Sequence, residues 1–203
     1  MKNISVIILI LANLAPLLGV LFFGWSLFAI MFLYWFENVV IGIFNIPKII
    51  IASKQTIKVN DSSKKTVFSS LYNILTIVGL ILFFELHYGM FTAIHGVFVF
   101  ALFYEKLESY TGIIIAITAL FISHGYSFYS NYIGKKEYKK RHIFIQLMFQ
   151  PYKRVVIMHL TIIFGGILSM TLGEPIFALI VLIALKTFID IIAHKKEHNF
   201  INN

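Results

Sequence analysis

The fold follows from one long stretch, NILTIVGLILFFELHYGMFTAIHGVFVFALF (residues 73–103), in which Glu85 is the only residue that carries a full charge. A helix needs about 20 mostly apolar residues to cross a hydrocarbon layer of ~30 Å. The stretch therefore predicts a transmembrane helix, and an unusually long one. Two histidines, His87 and His95, lie inside it, where polar side chains that face lipid are unfavourable.

The composition of the whole chain agrees with this stretch. Apolar residues make up 59% of the 203 residues and the mean hydropathy is +0.87, against roughly 45–50% apolar residues in soluble domains. The chain has no cysteine, which excludes disulfides, thiolate metal sites, iron–sulfur clusters and cysteine nucleophiles. We therefore expect an integral membrane protein that forms one compact domain over residues 1–203.

Working outward from residues 73–103, the same criterion predicts six spans. We expect an all-α, polytopic membrane helix bundle of six transmembrane helices. The spans lie at about residues 4–23, 25–46, 73–103, 111–132, 155–172 and 175–193.

The basic residues predict how this bundle is oriented. Of the 17 lysines and arginines, 15 flank the spans on one side, Lys106 lies on the other side and Lys186 lies within a span. Because basic residues concentrate in cytoplasmic loops, both termini are expected in the cytoplasm of a multi-pass protein of the cell membrane.

The segment GKKEYKKRHIFIQLMFQPYKR (residues 134–154) combines basic clusters with an apolar run. We expect it to lie along the inner leaflet and to contact anionic lipids. The net charge of +8 is explained by this topology, so no nucleic-acid partner is predicted. The sequence does not indicate an oligomeric state.

Ionisable residues inside the spans point to the chemistry, because such a group at the centre of an inserted helix costs about 2.5–3.5 kcal/mol. Glu37 and His87 fall near the predicted bilayer centre. Others lie toward its cytoplasmic side, namely His124, His159, Lys186 and Asp190. Five helices thus bring an ionisable group to a similar depth, which predicts a shared polar site.

Helical spacing divides these residues into faces. His124, Ser127 and Asn131 share one face of the fourth span. Lys186 and Asp190, four residues apart on the sixth span, can pair with each other.

On the third span, His87, Phe91 and Ile94 share a face and His95 lies at its edge. A second face carries Glu85, Tyr88 and Thr92. His87 and His95 are about 12 Å apart along a straight helix axis, so we expect separate roles for them.

The leading hypothesis is a metal-dependent membrane enzyme that acts on a lipid-soluble substrate. His87, His124 and His159 would bind a divalent ion such as zinc, iron, manganese or copper. Glu37 or Asp190 would act as a further ligand or as the general base. The predicted site also includes Lys186 as a catalytic group. The groups that would contact the cofactor or line the entrance to the site are His95, Ser127 and Asn131.

Three alternatives use the same residues. Histidines on different helices can ligate haem in an electron carrier, and a proton- or ion-coupled transporter can let Lys186 and Asp190 exchange partners. In a structural subunit, the polar groups would only hold helices together. The sequence contains neither H-E-x-x-H nor G-x-S-x-G, so no hydrolase motif decides among them.

Five segments, LYWFENVVIGIFNI, HYGMFTAIHGVF, SHGYSF, PYKRVVIMHL and ALKTFIDIIAHKKEH, resemble a family of prokaryotic multi-pass membrane proteins that carries a domain-of-unknown-function label. The recurring motifs are WFEN, HYGMF-x3-HG, SHGYSF and K-x3-D-x3-H. The resemblance covers nearly the whole chain. It implies a membrane location and a shared polar constellation, and no activity.

Overall fold

In the computed structural model, the chain is described at residues 24–60, 67–106, 110–139 and 143–172, together with Gly19, Phe22 and Ile183. These residues form helices α1 (Leu27–Asn60), α2 (Val67–Phe103), α3 (Thr111–Ser127) and α4 (Ile143–Leu172). A π-helical segment, Phe128–Gly134, continues α3, and a short 3-10 turn, Glu137–Lys139, follows. Within this part of the chain there are helices and no strands, as the all-α prediction requires.

Three of the helices are long and apolar enough to cross a membrane. The candidate spans are Leu27–Gln55, Leu71–Phe103 and Thr111–Gly134. They correspond to the second, third and fourth predicted spans. The first and sixth predicted spans fall almost entirely outside the described residues.

The helices differ from their predicted bounds in length. α1 continues through Pro47 to Asn60, and α2 begins six residues before Asn73. α4 begins at Ile143, twelve residues before the predicted fifth span. The segment expected along the inner leaflet is therefore, from Ile143 onward, the first part of one continuous helix.

α1 begins at a capped turn. Gly24 has a φ of +62°, which glycine adopts without steric cost, and the N–H of Trp25 donates to the carbonyl of Gly19 at 3.2 Å. The Ser26 hydroxyl then accepts a hydrogen bond from the N–H of Ala29 at 3.2 Å, as an N-cap does. This turn sets where α1 starts.

α1 is the central helix, and it packs against α2, α3 and α4. One apolar cluster joins the first part of α1 to the ends of α2 and α4, through residues such as Met31, Val99 and Ile162. A second joins the last part of α1 to Phe84 and Val155. α2 and α4 therefore both run antiparallel to α1.

Between these clusters lie the polar side chains of the candidate site. The buried face of α2 follows a spacing of three and four residues, at Phe84, Tyr88, Thr92, His95, Val99 and Phe103. By contrast, Phe91 and Ile94 are exposed. His95 therefore lies on the packed face of α2 and His87 lies beside it, the reverse of the predicted arrangement.

The proline in α4 is compensated by an asparagine from α1. Pro151 has no N–H, so the carbonyl of Leu147, four residues earlier, lacks its usual partner within the helix. The buried Asn45 side chain donates its Nδ2–H to that carbonyl at 2.9 Å. In a membrane, an unsatisfied backbone group costs several kcal/mol, so this bond permits a proline inside α4.

We expect the Asn45→Leu substitution to lower stability by about 1–3 kcal/mol, because it leaves the Leu147 carbonyl buried without a donor. In a Pro151→Ala background, residue 151 regains its N–H and can satisfy that carbonyl. The loss should then be clearly smaller. Thermal unfolding of the four proteins in detergent measures both values, and an equal loss in the two backgrounds would contradict this account.

Candidate functional site

The site is a layer of polar side chains that joins all four helices between the two apolar clusters. We call Glu37, Asn38, His95, His124, Arg154 and His159 the polar layer. The sequence WFEN in α1 supplies the centre of this layer. Its three polar residues, Trp35, Glu37 and Asn38, each contact a different neighbour.

Glu37 is the charged centre of the layer. Its Oε1 accepts a hydrogen bond from Nη1 of Arg154 on α4 at 2.6 Å. The same oxygen lies 3.8 Å from Nε2 of His124 on α3. The Glu37 and His124 side chains are each about one-fifth exposed, and that of Arg154 is about half exposed. One carboxylate therefore faces cationic or potentially cationic groups on two other helices.

Trp35 holds α1 close to α2. Its Nε1–H donates to the backbone carbonyl of Thr92 at 2.7 Å. A Cβ at Gly96 would lie only 2.8 Å from the Trp35 ring. Glycine at position 96 therefore allows the close approach of the two helices beside His95.

Asn38 binds the backbone and keeps one oxygen without a partner. Its Nδ2–H donates to the Tyr34 carbonyl at 2.9 Å, and its own carbonyl accepts the Tyr88 hydroxyl at 2.9 Å. The side-chain oxygen Oδ1 is buried and has no hydrogen-bond partner among the described residues. Such an orphaned acceptor is rare in a packed interior.

His95 and His159 form a pair between α2 and α4. Nε2 of His95 lies 3.1 Å from Nδ1 of His159, and the two rings meet edge to face at 80°. His95 is buried, with 5% exposure, whereas His159 is exposed. The pair thus extends from the packed interior to the surface of the helices.

The hydrogen bonds of this pair fix the positions of its protons. Nδ1 of His95 lies 2.6 Å from the Phe91 carbonyl, and a carbonyl oxygen can only accept, so His95 carries a proton on Nδ1. When His95 is neutral, its Nε2 is an acceptor, and Nδ1 of His159 must donate to it. Nε2 of neutral His159 then carries a lone pair that can accept a proton.

His87 is separate from this pair. Its Nδ1 lies 2.6 Å from the hydroxyl of Tyr152 on α4, and its side chain is exposed. His87, His124 and His159 therefore each contact a different residue. In the part of the chain that the structure describes, no group of three or more His, Cys, Asp or Glu side chains could hold a metal ion.

The structure thus gives no support to the three-histidine metal centre. A resident divalent ion or haem stays a prediction from the sequence. Lys186 and Asp190, assigned catalytic roles from their spacing, lie outside the described residues.

The hydrogen bonds of Asn131 join it to Ser127 and Lys135. Asn131 donates to the Ser127 hydroxyl at 3.3 Å and accepts from Nζ of Lys135 at 2.6 Å. The π-helix begins at Phe128, so its wider turn changes the spacing of Asn131 relative to His124 and leaves that of Ser127 unchanged.

Arg154 and Tyr152 are the site residues that the sequence analysis missed. Both were placed with the basic segment before the fifth span. Because α4 begins at Ile143, these residues lie inside the helix. The signal in the sequence was the apolar run before Pro151, which together with the following span has the length of one continuous helix.

The chain has a family match over nearly its whole length. It matches the Family of unknown function (DUF6498) over residues 1–202. The chain belongs to this family. No curated protein and no solved structure matches it.

We expect His95 and His159, each in its neutral form, to carry the proton on Nδ1. Nitrogen-15 NMR of protein labelled at histidine distinguishes these tautomers, and single His95→Asn and His159→Asn variants assign the signals. A His95 signal from an imidazole protonated only at Nε2 would contradict the proposed hydrogen bonds. His142→Asn provides a control that should leave both signals unchanged.

Proposed function

We propose that this chain is a multi-pass membrane protein that moves protons across the membrane through its polar layer. The observation that carries the proposal is Glu37, a carboxylate at one point of contact between α1, α3 and α4. Membrane helices seldom contain ionisable groups except where they serve transport or catalysis. Proton exchange also requires no metal ion, and therefore no group of three metal ligands.

The partners of Glu37 suggest how protonation would act. With His124 neutral, the carboxylate is held by Arg154 at 2.6 Å. When His124 takes up a proton, a second cation stands 3.8 Å from the same oxygen. At an effective dielectric constant of about 20, the added attraction is about 4 kcal/mol before solvent screening. A protonated His124 then competes with Arg154 for the Glu37 carboxylate.

The π-helical segment gives α3 a way to respond. It starts four residues after His124 and ends at Gly134, and π-helical turns occur frequently at functional sites. The buried Tyr132 within it donates to the Lys48 carbonyl of α1 at 2.7 Å. The π-helical segment can thus absorb a shift of α3 at His124 while Tyr132 stays bonded to α1.

The proposal includes the six-span arrangement with cytoplasmic termini in the cell membrane. It is supported by the 15 basic residues on one side of the predicted spans and by the antiparallel order of α1, α2 and α4. In this arrangement, Lys48 and Lys135 lie at the inner leaflet beside anionic lipids. Reporter fusions after residues 60 and 203 should therefore both give cytoplasmic signals.

The proposal is tested by proton uptake into liposomes that contain the purified chain and a trapped pH-sensitive dye. An inside-negative potential should acidify wild-type vesicles faster than protein-free vesicles. Glu37→Gln should reduce the rate to that of protein-free vesicles, because a neutral amide can neither exchange a proton nor bind Arg154 as an ion.

Glu85→Gln is the matched control, since it removes an exposed carboxylate from α2 without touching the polar layer. It should conduct as the wild type does. Equal rates for wild type and Glu37→Gln would overturn the proposal. Stoichiometric bound metal that is lost in His159→Ala would favour the metal-dependent enzyme instead.

A further inference from the structure

A second site lies at the end of the bundle where α1 and α3 begin and α2 ends. It is a groove of about 350 Å³, which is within the usual size of a small-molecule site. Five aromatic residues line it, namely Phe28, Phe32, Phe100, Tyr104 and Tyr110, together with Glu105 and three isoleucines. None of these residues belongs to the polar layer.

The aromatic rings form one connected wall. Phe28 lies edge to face with both Phe100 and Tyr104, with 5.4 Å between ring centroids in each pair. Phe32 meets Phe100 in the same way at 6.0 Å. Tyr104 and Tyr110 are mostly exposed, so they stand at the opening of the groove. Such rings present negative faces that attract a cation.

Among the described residues that line the groove, Glu105 is the only charged one. In the described part of the chain it forms no salt bridge and no hydrogen bond. Lys106 follows it in sequence but does not line the groove and forms no ion pair with it in the same described residues. The carboxylate is thus available to a ligand, and it favours a positive one.

We propose that this groove binds a lipophilic organic cation, through the aromatic rings and the Glu105 carboxylate. Aromatic residues at a membrane interface can also serve only as anchors. Interfacial anchoring accounts for Tyr104 and Tyr110. It does not account for a groove bounded by rings from both α1 and α2. The proposal does not depend on proton movement through the polar layer.

The test uses tetraphenylphosphonium as the probe and the full-length protein in detergent. Equilibrium dialysis should show saturable binding to the wild type. Triphenylphosphine oxide, a neutral analogue with the same aromatic rings, should fail to compete. Glu105→Gln should weaken binding by about threefold to tenfold, the range expected for one partly exposed ion pair with cation–π support.

Glu85→Gln removes the same charge from α2, about 30 Å away along the helix, and should bind as the wild type does. Tyr104→Phe should retain binding, whereas Tyr104→Leu should weaken it. Since Tyr104 and Glu105 are exposed, these variants should keep the wild-type melting temperature. Unsaturable binding, or competition by triphenylphosphine oxide together with an unchanged affinity in Glu105→Gln, would overturn the proposal.

Discussion

The ion pair between Glu37 and Arg154 constrains the rest of the structure. A carboxylate in an apolar helix is tolerated only when another group compensates for its lost hydration. The compensating cation comes from α4, so α1 and α4 must cross with these residues at the same level. α4 packs against both α1 and α2. The same contacts contain the bond from Asn45 to the Leu147 carbonyl and the pair of His95 with His159.

Hydrogen bonds from side chains to backbone carbonyls give this arrangement its specificity. Trp35, Asn45, Tyr88 and Tyr132 each donate to a carbonyl on another helix. Apolar contacts between membrane helices do little to fix their rotation, because lipid tails offer similar contacts. A hydrogen bond between two helices fixes both their rotation and their level. Four such bonds centred on α1 therefore set its rotation and level against α2, the π-helical segment and α4.

Hydropathy was sufficient to predict the helical class and the three candidate spans, because the requirement for about 20 apolar residues is set by the membrane. It was not sufficient to predict where α4 begins. Polar residues such as Gln146 and Arg154 interrupt the hydropathy signal, although they do not interrupt the helix. The role of Arg154 was missed for the same reason, since a basic residue at a predicted span end has an ordinary topological explanation.

The candidate site was predicted in part. Glu37 and His124 do meet, and His159 does reach α2. His95, however, takes the place expected of His87. Depth along the membrane can be read from sequence, but helix rotation depends on which residues a neighbouring helix covers. On α2, Tyr88 and Thr92 share the packed face with His95, and a purely apolar pattern gives no reason to choose that face.

The central claim is that Glu37 exchanges partners as His124 titrates, and the distance between α3 and α4 tests it most directly. The chain has no cysteine, so spin labels can be placed at the exposed positions Ile122 and Val156 by cysteine substitution. On acidification from about pH 8 to pH 5, longer distances should gain population as protonated His124 draws Glu37 away from Arg154. A distance distribution that is independent of pH, or that shifts equally in Glu37→Gln, would contradict the account.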